Sequence, residues 1–202
     1  MAVLLSRSIF FHVPKTGGMW VRSALKNSGV PTHEIANNMF RFKDTWELRH
    51  GIYHANVQDI HPQGRFTFAF VRNPLSWYQS QWAYQMRTGW VGKGPLVTDC
   101  RAENFQDFIR YCIKRLPGFL SQLYALYDVD FVGKYECLEE DLVRALHMAG
   151  EEFDEHALRN TPPENLGSQS ADMNGKCEYT PELRAQLLAS EREAVEKYGY
   201  GY

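Results

Sequence analysis

Along the chain, a short run of apolar, β-branched and aromatic residues repeatedly stops at a turn and gives way to residues with helical spacing, and this recurrence confines the fold more than any other feature. The first run, Ser8 to Val13 (SIFFHV), ends at Pro14. After Gly17-Gly18, Trp20, Val21, Ala24 and Leu25 recur at helical intervals. The second run, Arg65 to Val71 (RFTFAFV), meets Asn73-Pro74, and a helix is expected from Leu75 to about Met86, with Pro74 suited to its first turn. The third, Val129 to Val132 (VDFV), leads through Gly133, Lys134 and Tyr135 into an amphipathic helix from about Cys137 to Ala149. Strands that alternate with helices predict an α/β fold, a single domain with a central, mainly parallel sheet flanked by helices.

The remaining segments fill in around this frame. A glycine-rich connection, Thr88 to Pro95 (TGWVGKGP), precedes a helix expected from about Glu103 to Arg115, and such connections are where binding surfaces are commonly built. Beyond Asn160 the chain is polar and turn-rich until Thr180-Pro181-Glu182 opens a last helix running to about Tyr198. With 202 residues, 44% of them hydrophobic, there is material for one sizeable core, so residues 1–202 are expected to form a single domain. Lys and Arg number 22 against 24 Asp and Glu, a balance that gives no general attraction to nucleic acid or an anionic membrane. Any basic site must be local. Cys100, Cys112, Cys137 and Cys177 form no CxxC pair, and reduced thiols in a cytoplasmic protein are the expectation. The amino-terminal apolar stretch is broken by Ser6, Arg7 and Ser8, as suits a first core strand rather than a signal peptide or anchor.

Two segments carry the chemistry. In His12-Val13-Pro14-Lys15-Thr16-Gly17-Gly18-Met19-Trp20, a strand ends in Lys-Thr-Gly-Gly and opens a helix. Backbone N–H groups, the helix dipole and an ammonium then converge on one point, which suits a phosphate or sulfate. Lys15 precedes both glycines, whereas a Walker A motif puts its lysine after the last glycine, so an ordinary nucleotide triphosphatase is disfavoured. In Phe70-Val71-Arg72-Asn73-Pro74-Leu75-Ser76-Trp77-Tyr78-Gln79-Ser80, an arginine sits at a strand end and a serine eight residues on lies on the next helix. Arg72 supplies a forked donor pair matched to phosphate oxygens, and Ser80 a hydroxyl. In isolation, Lys-Thr-Gly-Gly also reads as a plain turn, and Arg72 and Ser80 as an ordinary helix-end and surface residue.

Taken in order, these stretches resemble the sulfotransferases that use 3′-phosphoadenosine-5′-phosphosulfate (PAPS). HVPKTGGMWVRSAL is similar to their 5′-phosphosulfate loop, and FVRNPLSWYQSQW to their 3′-phosphate segment. DFVGKYECLEEDL (Asp130 to Leu142) is similar to a Val-Gly-(Arg/Lys)-Tyr-Glu stretch of the carbohydrate-type and bacterial members, and EREAVEKYGYGY to their closing helix and tail. The resemblance implies a P-loop-NTPase-like sulfotransferase fold, PAPS as co-substrate with no metal required, and a small-molecule or carbohydrate acceptor. It places Lys15, Thr16, Gly17, Gly18, Met19 and Trp20 along the 5′-phosphosulfate and gives the 3′-phosphate to Arg72 and Ser80. The chain departs from the pattern twice: Met19 stands where a Thr or Ser is usual, and Trp77 replaces an arginine often found five residues after Arg72.

Within that reading, Lys15 is the donor to the leaving oxygen. His54, in Gly51-Ile52-Tyr53-His54, is the candidate base, although two residues separate it from the glycine that adjoins the histidine in the carbohydrate-type members. A structural or surface histidine is an equal reading of His54, and His50, His54 and His61 as metal ligands a weak one. Ser168, Ser170 and Lys176 are candidate donors near the adenine and 3′-phosphate. Two other classes stay open: a kinase-like P-loop phosphotransferase, for which no apolar run ending in Asp follows the loop, and a catalytically inactive nucleotide- or glycan-binding module of the same fold.

Overall fold

The computed structural model of the protein describes residues 2–34, 57, 60, 62–164 and 175–201. These fall into two compact units, the first within Met1–Arg72 and Leu126–Asn165, the second within Asn73–Ala125 and Leu166–Tyr202.

The first unit is built on a five-stranded sheet. Its strands are β1 (Ala2–Leu4), β2 (Ser8–Phe11), β3 (His33–Glu34), β4 (Phe66–Val71) and β5 (Phe131–Lys134), in the spatial order β3-β1-β2-β4-β5. β2, β4 and β5 run parallel, while β1 pairs antiparallel with both β2 and β3. The parallel portion is the one the strand-and-helix recurrence describes. The antiparallel edge arises because the apolar amino terminus, instead of forming one strand with SIFFHV, folds back on it at Leu5-Ser6-Arg7. Glu151 fixes that bend from 144 residues along the chain, accepting from Arg7 N at 2.8 Å and from Ser8 Oγ at 2.8 Å.

Alternate residues of the strands face one core. Val3, Phe10, Phe68 and Phe70 pack there with Trp20, Val21, Ala24 and Leu25 of helix α1 (Gly18–Asn27). Phe10 stacks on Phe68 with ring centroids 5.4 Å apart, and Phe70 meets Phe68 edge-on at 6.2 Å. Ile9, Phe11, Ala69 and Val71, on the alternate positions, are buried as well, which is why these strands read as continuous apolar runs. At the entry to β4 and β5, Asp130 Oδ2 accepts from both the N–H and the hydroxyl of Thr67 at 2.8 Å, tying the parallel pair in register.

The second unit is helical among its described residues, beginning with α2 (Pro74–Thr88), α3 (Pro95–Thr98), α4 (Phe105–Arg115) and α5 (Phe119–Ala125). The chain then returns to the first unit for α6 (Leu138–Ala149), whose Leu142, Val143, Ala145 and Leu146 join the core, and α7 (Glu155–Arg159), which adds Leu158. α8 (Pro181–Ser190) and α9 (Arg192–Lys197) complete the second unit. Asn73 accepts from Leu75 N at 3.0 Å and Pro74 takes the first helical position, so α2 begins where the Asn-Pro signal put it. The last helix is not continuous as expected: it breaks at Glu191, whose side chain is fully buried. Its carboxylate accepts from Tyr78 Oη at 2.7 Å, Leu120 N at 3.1 Å, and Ser121 N and Oγ at 2.8 Å each. A buried carboxylate needs such donors, and reaching them bends the chain. All four cysteines are free of disulfides, with Cys100, Cys112 and Cys177 buried and Cys137 exposed. Among the described residues no helix is long and apolar enough to cross a membrane.

Candidate functional site

Because β2, β4 and β5 are parallel, their carboxyl ends share one edge of the sheet, and each leads into one of the segments singled out in the sequence. β2 runs through His12 and Val13 into the Pro14–Gly17 turn and α1, β4 delivers Arg72, and β5 delivers Tyr135. Open α/β sheets bind ligands at such an edge.

The turn has an uncommon backbone. Lys15 has φ 65° and Gly17 φ 83°, with Thr16 between them on the ordinary side. Alternating handedness of this kind points successive N–H groups into a concavity that suits an anion. The left-handed conformation of Lys15 costs on the order of 1–2 kcal/mol and persists only because its surroundings fix it. Those surroundings are visible. Thr16 is fully buried and its hydroxyl donates to Val13 O at 2.9 Å. Gly17 needs its positive φ and has no room for a side chain, since a Cβ there would lie 2.5 Å from Leu138 Cδ2 and 3.1 Å from Tyr135 Cδ2. At Gly18 a Cβ would overlap the imidazole of His12, which is itself stacked on Phe10 with centroids 6.0 Å apart. Gly17 also caps α1 without offering a side-chain acceptor, and no acidic residue stands in the first turn, so the helix presents its positive end uncompensated by its own side chains.

Arg72 is brought directly to this turn. Its Nη1 donates to Lys15 O at 3.2 Å, and its guanidinium lies over the Tyr135 ring, 4.0 Å from the centroid. The rest of the third segment is structural. Asp141 Oδ2 accepts from Lys134 N at 2.7 Å, and Gly133 is where Phe70 and Asp141 approach the strand too closely for any side chain. Asp141 therefore ties the helix after the third strand to that strand's last residue.

The other expected site residues are distributed as follows. Met19 is exposed at the start of α1, while Trp20 is turned into the core with its indole N–H donating to Thr161 O at 3.2 Å. Ser80 lies on α2 in the second unit, half-buried. Trp77 is buried in that unit against Tyr78 and Phe119, a core position rather than a surface one. Lys176 is exposed in a turn. His54, with His50, His61, Ser168 and Ser170, lies outside the described residues. Neither Tyr135 nor the His12 ring stands out in the sequence as a site residue. For Tyr135 the signal was present, an aromatic residue immediately after a strand in a Gly-Lys-Tyr turn, yet its contact with Arg72 depends on the register of β5 against β4.

This arrangement can hold a phosphate or sulfate: convergent backbone N–H groups, a helix N-terminus, a lysine in the turn and an arginine bonded to it. Comparison of the chain with protein-family models, with curated proteins and with solved structures gives no match.

Proposed function

We propose that this chain is a sulfotransferase that moves the sulfuryl group of PAPS to a hydroxyl or amine of a carbohydrate or other small molecule. The reading rests on the direct bond between Arg72 and the Lys15 carbonyl at the carboxyl edge of adjacent parallel strands, which makes one basic turn out of two segments 57 residues apart. A donor with phosphate groups at both its 5′ and 3′ positions calls for two such anion-binding segments side by side.

The chemistry asked of the protein is mainly alignment and charge stabilisation. As the S–O bond to the 5′-phosphate lengthens, negative charge builds on the bridging oxygen, and the Lys15 ammonium donates to it. The turn's N–H groups hold the 5′-phosphosulfate and Arg72 holds the 3′-phosphate. The acceptor oxygen attacks sulfur in line and its proton passes to a base, for which His54 is the candidate.

Calorimetric titration with adenosine 3′,5′-bisphosphate and with ATP tests the reading. Binding of the bisphosphate at least about tenfold tighter than ATP is expected. Equal or tighter binding of ATP would replace it with a P-loop phosphotransferase. Transfer from radiolabelled PAPS across sugar, phenol, lipid and amine acceptors then separates an enzyme from a module that binds the nucleotide without turnover.

A further inference from the structure

Tyr135, in the third segment, touches both of the others. Its ring edge lies against Gly17, close enough that a Cβ there would come within 3.1 Å of Cδ2 and 3.2 Å of Cε2, and its face lies 4.0 Å beneath the Arg72 guanidinium. It is held at that point by the parallel register, in which Val71 pairs with Lys134, so the residues following each strand, Arg72 and Tyr135, emerge side by side. The 3₁₀ turn Tyr135–Cys137 then carries the chain to Leu138, whose Cδ2 is the other atom against Gly17.

Tyr135 acts on Arg72 through the face of the guanidinium: an aromatic ring stacked on that plane orients it without itself consuming an in-plane N–H donor, one of which, on Nη1, bonds Lys15 O. We propose that Tyr135 is the positioning residue for Arg72, stacking the guanidinium in the orientation that selects a 3′-phosphorylated nucleotide. This rests on the sulfotransferase reading above and extends it to a residue that reading does not use.

The experiment compares the wild-type chain with Tyr135→Phe, which keeps the ring face, and Tyr135→Leu, which removes it. Each is titrated calorimetrically with adenosine 3′,5′-bisphosphate and with adenosine 5′-monophosphate, and its melting midpoint is recorded. Tyr135→Leu is expected to weaken the bisphosphate about tenfold while the monophosphate stays within about twofold of wild type, so the preference for the 3′-phosphate falls; Tyr135→Phe retains it. Should the leucine variant fail to fold, Tyr135→Met carries the same expectation with more side-chain volume. Equal weakening of both nucleotides would mean that the ring only props the turn, and an unchanged preference would mean that Arg72 needs no stacking; either overturns the positioning role while leaving the sulfotransferase reading in place. A wild-type chain that does not distinguish the two nucleotides overturns both.

Discussion

Replacing Gly18 by alanine tests whether the turn is held by packing from below. The added Cβ would overlap Cδ2 and Nε2 of His12 and come within 2.5 Å of Cγ. The imidazole cannot easily retreat, since it is buried and stacks on Phe10, whose ring is in turn packed on Phe68. Overpacking of this kind costs roughly 1–3 kcal/mol, because either the helix start or the ring has to move. For a chain of this size each kcal/mol lowers the melting midpoint by about 2–4 °C, so Gly18→Ala should melt roughly 2–12 °C below wild type. The decisive measurement is a thermal double-mutant cycle with His12→Ala, which removes the ring that the new methyl would strike. The two changes together should be less damaging than the sum of the separate effects by about 1 kcal/mol or more. Strict additivity, or a Gly18→Ala chain as stable as wild type, would refute the idea that His12 buttresses the turn.

If Lys15 donates to the leaving oxygen, Lys15→Ala should lower turnover in the PAPS transfer assay by about 10²–10³-fold while changing the calorimetric affinity for adenosine 3′,5′-bisphosphate less than about tenfold. Glu191→Ala strands the Tyr78 hydroxyl and two backbone N–H groups in the interior of the second unit and should cost at least about 3 kcal/mol by urea denaturation, with Glu191→Gln intermediate. Burial, and then the charge of Glu191, push the Tyr78 phenol well above its usual value, and burial does the same to Tyr179. Their protons are held more tightly in the folded than in the unfolded chain, so this contribution to stability is full below about pH 10 and is lost as the pH rises toward the folded values. In an alkaline ultraviolet titration both should ionise only as the chain unfolds, and Tyr78→Phe should flatten that stability loss.

What could be read from the sequence was whatever is encoded locally. The Asn73-Pro74 pair supplies both a cap and a preset φ, and α2 starts there; Gly17 stands where the turn needs a positive φ, and the turn is where it was placed. What could not be read depends on partners far along the chain. The residues 2–4 look like the start of a longer strand until Glu151, 144 residues from Arg7, takes the N–H that forces the bend. The helical period of EREAVEK continues smoothly from that of α8, and nothing nearby announces that Glu191 is needed by Ser121 and Tyr78, 70 and 113 residues away. Arg72 was legible as an arginine at a strand end, but its stacking on Tyr135 follows from strand register, which no local pattern specifies.

The hydroxyls of the turn sharpen what the site depends on. Met19 brings none, and the hydroxyl of Thr16 is spent on Val13 O, so the turn itself offers an anion backbone N–H groups and the Lys15 ammonium. Backbone donors are only as well aimed as the backbone is fixed. In a loop that also relied on side-chain hydroxyls, a small change in backbone angle could be absorbed by a rotamer. Here it would pass undiminished to any anion the turn held, so on the proposed function His12, Leu138 and Tyr135, which pack against Gly17 and Gly18, matter to binding through the shape they impose. That is also a physical reason for two glycines in the turn: each admits a neighbouring side chain to the position a Cβ would occupy, and those neighbours, together with the Thr16 hydroxyl on Val13 O, hold its shape.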